Sequence, residues 1–264
     1  MAQIDKPNLH MNTVFYTGNN TSQSVTGVGF QPSWVWLKER NGTEAHNLYD
    51  SVRGIYKRLS SDTTGAEYSS NTQLTSFDSD GFSVGSSDAI NDTGNTMVGW
   101  NWKAGGTAVS NTDGSITSSV SASTTSGFSV VSYTGTGAVA TVGHGLGVAP
   151  SMIIFKNRST GDDWNVFHAS RGNGKFIRLN EPDAEGNTSR FNNTSPTSSV
   201  FSLGVNGAIG GSGNNIIAYC FAEKKGFSKF GSYVGNGNAD GTFVYTGFKP
   251  AFYMYKRTDS TANW

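Results

Sequence analysis

The chain has 264 residues, with 34 glycines, 12% aromatic residues and only 14% charged residues, where an average globular protein carries about 25% charged. Nineteen basic residues balance nineteen acidic ones, and no basic stripe stands out, which argues against nucleic acid or an anionic membrane as partner. So many aromatics exclude disorder, and the Gly, Ser, Thr and Asn around them read as short strands joined by tight turns.

Residues 1–11 form a polar lead without the apolar centre of a signal peptide. No run of about 18 apolar residues follows anywhere, so no transmembrane helix is expected. A protein made in the cytoplasm and delivered by assembly fits both. Strand-type runs then recur at 13–16, 34–37, 47–52, 128–133, 152–156, 216–221 and 243–245, and no segment keeps a helical period over 12 residues. Turn pairs such as Asn41-Gly42, Asp80-Gly81, Asn173-Gly174 and Asp240-Gly241 separate the runs. The expected class is all-β, as antiparallel sandwiches of jelly-roll type.

The runs repeat. Gly29-Phe30-Gln31-Pro32-Ser33-Trp34-Val35-Trp36-Leu37-Lys38 aligns with 147–156 and with 247–256, so that Pro32, Pro150 and Pro250 are spaced by 118 and then 100 residues. Tyr16-Thr17-Gly18 matches Tyr133-Thr134-Gly135 and Tyr233-Val234-Gly235. Asp50-Ser51-Val52-Arg53-Gly54 matches His168-Ala169-Ser170-Arg171-Gly172, and Trp164 and Trp264 each follow an aligned lysine by eight residues. The array divides into repeat one (12–106), a Ser/Thr/Gly linker (107–125) that has room for one strand at 114–120, repeat two (126–225) and a partial repeat three (226–264). A third of a sandwich cannot bury a core of its own, so either the chain continues or this piece pairs with something else; a fragment of a longer chain is the expectation. Each copy is expected to close over its own interior.

The decapeptide at 29–38, Asp50 to Gly54, Trp100-Asn101-Trp102-Lys103-Ala104-Gly105-Gly106 and the run 142–150 resemble a repeat of tail-fibre-like virion proteins of marine phages, including those infecting cyanobacteria. The resemblance spans about residue 12 to the end. It implies a concanavalin-like or laminin-G-like sandwich on the virion surface, a homo-oligomer (a trimer for a fibre), other virion proteins as partners, and a host glycan or receptor as ligand. It carries no catalytic motif.

Chemistry-bearing patterns are few. A nucleophile elbow, a P-loop and a dinucleotide fingerprint are absent. His10, His46, His144 and His168 lack zinc spacing, and Cys220, alone in an apolar run, reads as a core filler. No cofactor or metal is assigned; calcium stays open at Asp78, Asp80, Asp162 and Asp163, whereas Asn236 to Gly241 reads as a turn because Gly247 stands where a calcium loop needs its closing glutamate. Carboxylate pairs such as Asp162 with Glu181 or Asp50 with Glu67 leave a polysaccharide-degrading enzyme as an alternative. Trp34, Trp36, Trp100 and Trp102 are replaced in repeat two by Met152, Ile154, Tyr219 and Phe221, and aliphatic or smaller aromatic replacements mark them as packing residues. The ligand-binding candidates are Trp164, in a polar loop and equally readable as a loop anchor or a stacking platform, and Asp50, Arg53, His168 and Arg171 of the shared motif. For the two arginines, bonding to backbone carbonyls of a neighbouring loop is the alternative.

Overall fold

Strands whose two faces are both apolar decide this architecture. In a computed structural model, which describes residues 3–264, repeat one contains β1 (Met11–Thr17), β2 (Gln23–Thr26), β3 (Trp34–Glu39), β4 (Asn47–Asp50), β5 (Lys57–Arg58), β6 (Tyr68–Ser69), β7 (Leu74–Asp78), β8 (Gly81–Val84), a single helical turn α1 (Asp88–Asn91) and β9 (Thr96–Trp102). One sheet runs β1-β9-β3-β4 and the facing one β2-β8-β7. Val14, Val35, Leu37, Tyr49 and Met97 of the first meet Val25, Leu74, Phe82 and Val84 of the second in a closed core.

Repeat two reproduces this plan. Its elements are β10 (Val109–Asn111), β11 (Ser118–Ser123), β12 (Phe128–Thr134), β13 (Ala140–Gly143), β14 (Met152–Asn157), β15 (Asn165–His168), β16 (Lys175–Arg178), β17 (Gly186–Asn187), β18 (Val200–Leu203), the turn α2 (Gly207–Gly210) and β19 (Asn215–Phe221). The sheet order β12-β19-β14-β15 matches β1-β9-β3-β4 strand for strand, and β13-β18 matches β2-β8. Registers agree as well: Trp34 opposes Asp50 and Trp102, and Met152 opposes His168 and Phe221. Residues 29–38 and 147–156 therefore occupy equivalent places. All named strand pairs are antiparallel, for instance β1 with β9 and β12 with β19. The Tyr-x-Gly landmark has one job in both copies. The Tyr16 hydroxyl donates to Ile90 O and that of Tyr133 to Ile209 O, each at 2.6 Å. A Cβ on Gly18 or Gly135 would collide with the backbone that follows that turn.

Two expectations are corrected and one is extended. Residues 107–125 are no linker: β10 and β11 extend the second sheet to eight strands, and Ile116 and Val120 enter its core. Their serine-rich sequence hides this, because β10 is an edge strand and the buried serines of β11 satisfy their hydroxyls on backbone carbonyls, Ser118 on Gly143 O and Ser121 on Gly106 O. Second, each copy does close over its own interior, but a further core joins the two copies. Trp34, Trp36, Leu48, Leu59 and Trp102 of repeat one pack with Phe128, Val130, Met152, Ile154, Val166, Ile177 and Tyr219 of repeat two in a shared core. Strands buried on both faces lose the polar alternation of a half-exposed sheet and read as continuous apolar runs, which is why 34–37, 152–155 and 216–221 look as they do. Third, no strand forms at 243–245 or elsewhere in partial repeat three; a strand needs a neighbour to take its backbone hydrogen bonds, and this segment has none beside it. Of the N-terminal lead, residues 1–2 lie outside the described residues; Pro7–Leu9 is a short 3-10 turn.

Candidate functional site

The seam between repeats one and two holds the densest polar chemistry. The Asp50 carboxylate ends β4 facing this seam, where it accepts from the backbone N–H groups of Val52 (3.1 Å) and Arg53 (2.8 Å), from Arg53 Nε and from the Tyr219 hydroxyl at 2.8 Å. Arg53 reaches on to Leu48 O and Lys57 O and pairs with Glu67, which in turn takes a two-pronged contact from Arg158 at 2.8 and 3.0 Å. Burial alone would pull the Arg53 guanidinium down, but Asp50, Tyr219 and Glu67 outweigh it and hold its pKa above the ordinary value. Burial likewise opposes ionisation of Glu67, and Arg158 with Arg53 overcomes this and lowers its pKa. Such a network is tolerable inside a protein only because each charge has a partner.

Corresponding contacts bind each copy to the next. The Trp164 indole N–H donates to Ser60 O, and that of Trp264 to Arg178 O, both at 2.7 Å. Lys156 Nζ donates to Thr64 O, and Lys256 Nζ to Pro182 O. Glu67 N–H donates to Arg158 O, and Glu185 N–H to Thr258 O, at 3.0 Å each. Ser60, Thr64 and Glu67 are the repeat-one equivalents of Arg178, Pro182 and Glu185, by the same 118-residue shift that relates the prolines. Partial repeat three thus sits on repeat two as repeat two sits on repeat one. Buried Lys156 is pulled down to about 8 by desolvation, with Asp162 and Asp163 opposing.

Where the three copies meet, a cleft of about 510 Å³ remains. Trp36, His46 and Trp100 of repeat one, Asn180 and Glu181 of repeat two, and Tyr253, Tyr255 and Trp264 of the partial copy line it. The Trp36 indole donates to His46 Nδ1 at 2.7 Å, and burial lowers the His46 pKa, against Asp62. His46 stands at the position that Trp164 and Trp264 hold in the other copies.

Each residue expected at a binding site has a definite place. Trp164 is 0% exposed and stacks towards Tyr219 with planes 18° apart; it is a loop anchor across the seam, with no open face for a sugar ring. Asp50 and Arg53 are buried in that same seam, and Arg53 does bond the carbonyls of a neighbouring segment. His168 caps the turn Ala169–Arg171 by accepting from Ser170 N, and Arg171 forms a two-pronged pair with Glu185 at 2.6 and 2.7 Å. These five residues are therefore split between two seams. Sequence reasoning missed Lys156, Arg158 and the cleft residue Asn180, and it weighed Glu67 only as a carboxylate partner of Asp50 and His46 only as a zinc ligand. The signal that could have found them is the recurrence of lysine at 38, 156 and 256 and of glutamate at 67 and 185.

The carboxylates considered for calcium are engaged in turns: Asp80 accepts from Gly27 N and Gly29 N, and Asp163 pairs with Arg178. Among the described residues no cluster of three or more His, Cys, Asp or Glu is placed to hold a metal.

Fold and seams together define an all-β protein of tandem sandwiches whose buried polar groups join copy to copy. The chain belongs to the family described as a domain of unknown function, DUF7483, which matches residues 6–264, so the two complete copies and the partial third lie within one family domain. Comparison with curated proteins and with solved structures gave no match.

Proposed function

We propose that this chain is a non-catalytic segment of a phage virion surface fibre or adhesin, homo-oligomeric in the assembled particle, that meets a host glycan or receptor through its outer loops. The observation that carries the reading is the recurrence of one seam: the Trp164–Ser60 and Trp264–Arg178 contacts belong to a unit made to be stacked copy on copy, and stacked copies turn weak single contacts into avid attachment. The resemblance of the repeat to tail-fibre-like virion proteins and to concanavalin-like sandwiches points the same way, as does a surface made polar by hydroxyl and amide groups instead of charge. The test is binding of the purified chain, presented multivalently, to host cells and to an array of their surface glycans; binding lost on stripping the glycans supports the reading, and no binding in either format leaves a structural spacer.

A second reading has its own observation. Trp36, Trp100, Tyr253 and Tyr255 beside Asn180 and Glu181 combine aromatic faces with amide and carboxylate groups, the chemistry that grips a sugar ring. Here the glycan sits in the cleft, and Trp100→Ala abolishes binding while loop substitutions leave it intact.

A further inference from the structure

We infer that the repeat closes a ring of three, and that the open seam between repeat one and the partial third copy is the seat of one occupant, the hairpin of a complete third copy. The argument starts from the aromatic contacts. Trp34 of repeat one lies against Tyr219 and Phe221 of repeat two, with centroids 4.4 and 6.0 Å apart. Phe252, the equivalent of Trp34, lies against Trp100 and Trp102 at 5.9 and 5.6 Å, and these are the repeat-one equivalents of Tyr219 and Phe221. Copy three therefore meets copy one at the same residue positions as copy one meets copy two, edge-on where Trp34 and Tyr219 stack. A head-to-tail interface whose third step returns to the first member is a closed ring, and Phe252, Met254 and Trp264 of the partial copy pack, half-buried, against the core that repeats one and two share.

What the third seam lacks among the described residues is the segment equivalent to 57–69 and 175–187. In the two formed seams, the hairpin segments 57–69 and 175–187 present Ser60 O, Thr64 O and Glu67, or Arg178 O, Pro182 O and Glu185, to the next copy. At the third seam the receiving residues are present. Lys38 stands where Lys156 and Lys256 stand, Arg40 where Arg158 stands, and His46 where Trp164 and Trp264 stand. Lys38 Nζ bonds its own loop at Glu39 O and Gly42 O, and exposed Arg40 lies over Phe15 with no ion pair among the described residues. The cleft beside them is the hairpin's place. Tyr253 and Tyr255 are 78% and 59% exposed, while their equivalents Val35, Leu37, Ile153 and Phe155 fill sandwich interiors. The same missing strands leave both faces bare.

The test lengthens the full chain after Trp264 with a second copy of residues 165–225, since Trp264 is equivalent to Trp164. A parallel arm appends residues 47–106, which follow the equivalent His46. Tetranitromethane nitration, located by peptide mass mapping, reads Tyr253 and Tyr255; acrylamide quenching reads Trp36 and Trp100. The expected result is at least tenfold slower nitration of both tyrosines and protection of both tryptophans in a monomeric chain. Arg40→Glu should reopen the seam without exposing Tyr253, and reversing the appended glutamate (Glu185→Arg or Glu67→Arg in the added copy) should close it again. Tyrosines that stay reactive in both extensions, or an appended copy that proteases remove from an otherwise unchanged protein, overturn the inference. So does a free host oligosaccharide that quenches Trp100 in the unextended chain and is not displaced by the extension.

Discussion

Tyr219 of repeat two lies flat on Trp34 of repeat one, ring centroids 4.4 Å apart and planes 20° from parallel, and its hydroxyl reaches Asp50. One side chain thereby joins the apolar and the ionic halves of the seam. Tyr219→Ala should cost about 3–5 kcal/mol, as for other large aromatic truncations. Because the core is shared, near-UV signals from both repeats should be lost in one urea transition; two separated transitions would show that the seam is not load-sharing.

The two most deeply buried indoles, Trp34 and Trp164, differ in one bond. The Trp164 N–H is bonded to Ser60 O, whereas the Trp34 N–H is buried with no partner. Replacing a bonded buried group strands its partner at about 1–3 kcal/mol, and removing an orphan does not. Trp164→Phe should therefore be the less stable of the two Trp-to-Phe variants by about 1 kcal/mol or more, measured as the difference in urea midpoints at equal slope.

Glu67 and Glu185 occupy one position in two environments. Glu67→Ala leaves the buried Arg53 short of a counter-charge and should cost about 3–5 kcal/mol. Arg171, which faces Glu185, keeps 32% of its side chain in solvent, so Glu185→Ala should cost about 1 kcal/mol or less. Equal losses in thermal unfolding would contradict the assignment of the ionic network to the first seam.

All four histidines have lowered pKa values, each with burial as the leading cause. A histidine that is harder to protonate when folded lets the unfolded chain bind more protons, so stability falls as pH drops below about 6.5. His46 adds a local effect, because Nδ1 must be unprotonated to accept from Trp36. Acidification from pH 7 to 5 should lower the melting temperature, and His46→Gln should reduce that slope.

Lys156 titrates in the opposite range. Its folded value of about 8 lies below the ordinary value for lysine, about 10.4, so between these two pH values the unfolded chain holds the extra proton and stability contributed at this site rises. The Lys156→Met variant should lack that rise: its lead over the parent chain, measured by urea unfolding, should shrink steadily from pH 8 to 10.

The class, the repeat and the strand equivalences were legible in the sequence because they rest on local chemistry: Pro32 and Pro150 lie in the turns that lead into β3 and β14, Gly18 and Gly135 admit a close backbone, and apolar runs mark buried strands. Residues 107–125 misled because buried serines such as Ser118 and Ser121 bond backbone carbonyls and so can replace apolar residues in a strand, and 243–245 misled because a strand-like run is not a strand without a partner. Trp164, Asp50 and Arg53 were named as ligand-binding candidates, and the seam they share is visible only through their contacts with Ser60, Glu67 and Tyr219. The sequence by itself determined which residues could be buried and how often the pattern returns. Only the tertiary structure decided what the second face of each apolar strand packs against, since strand periodicity says that a face is apolar and carries no information about the distant surface that covers it.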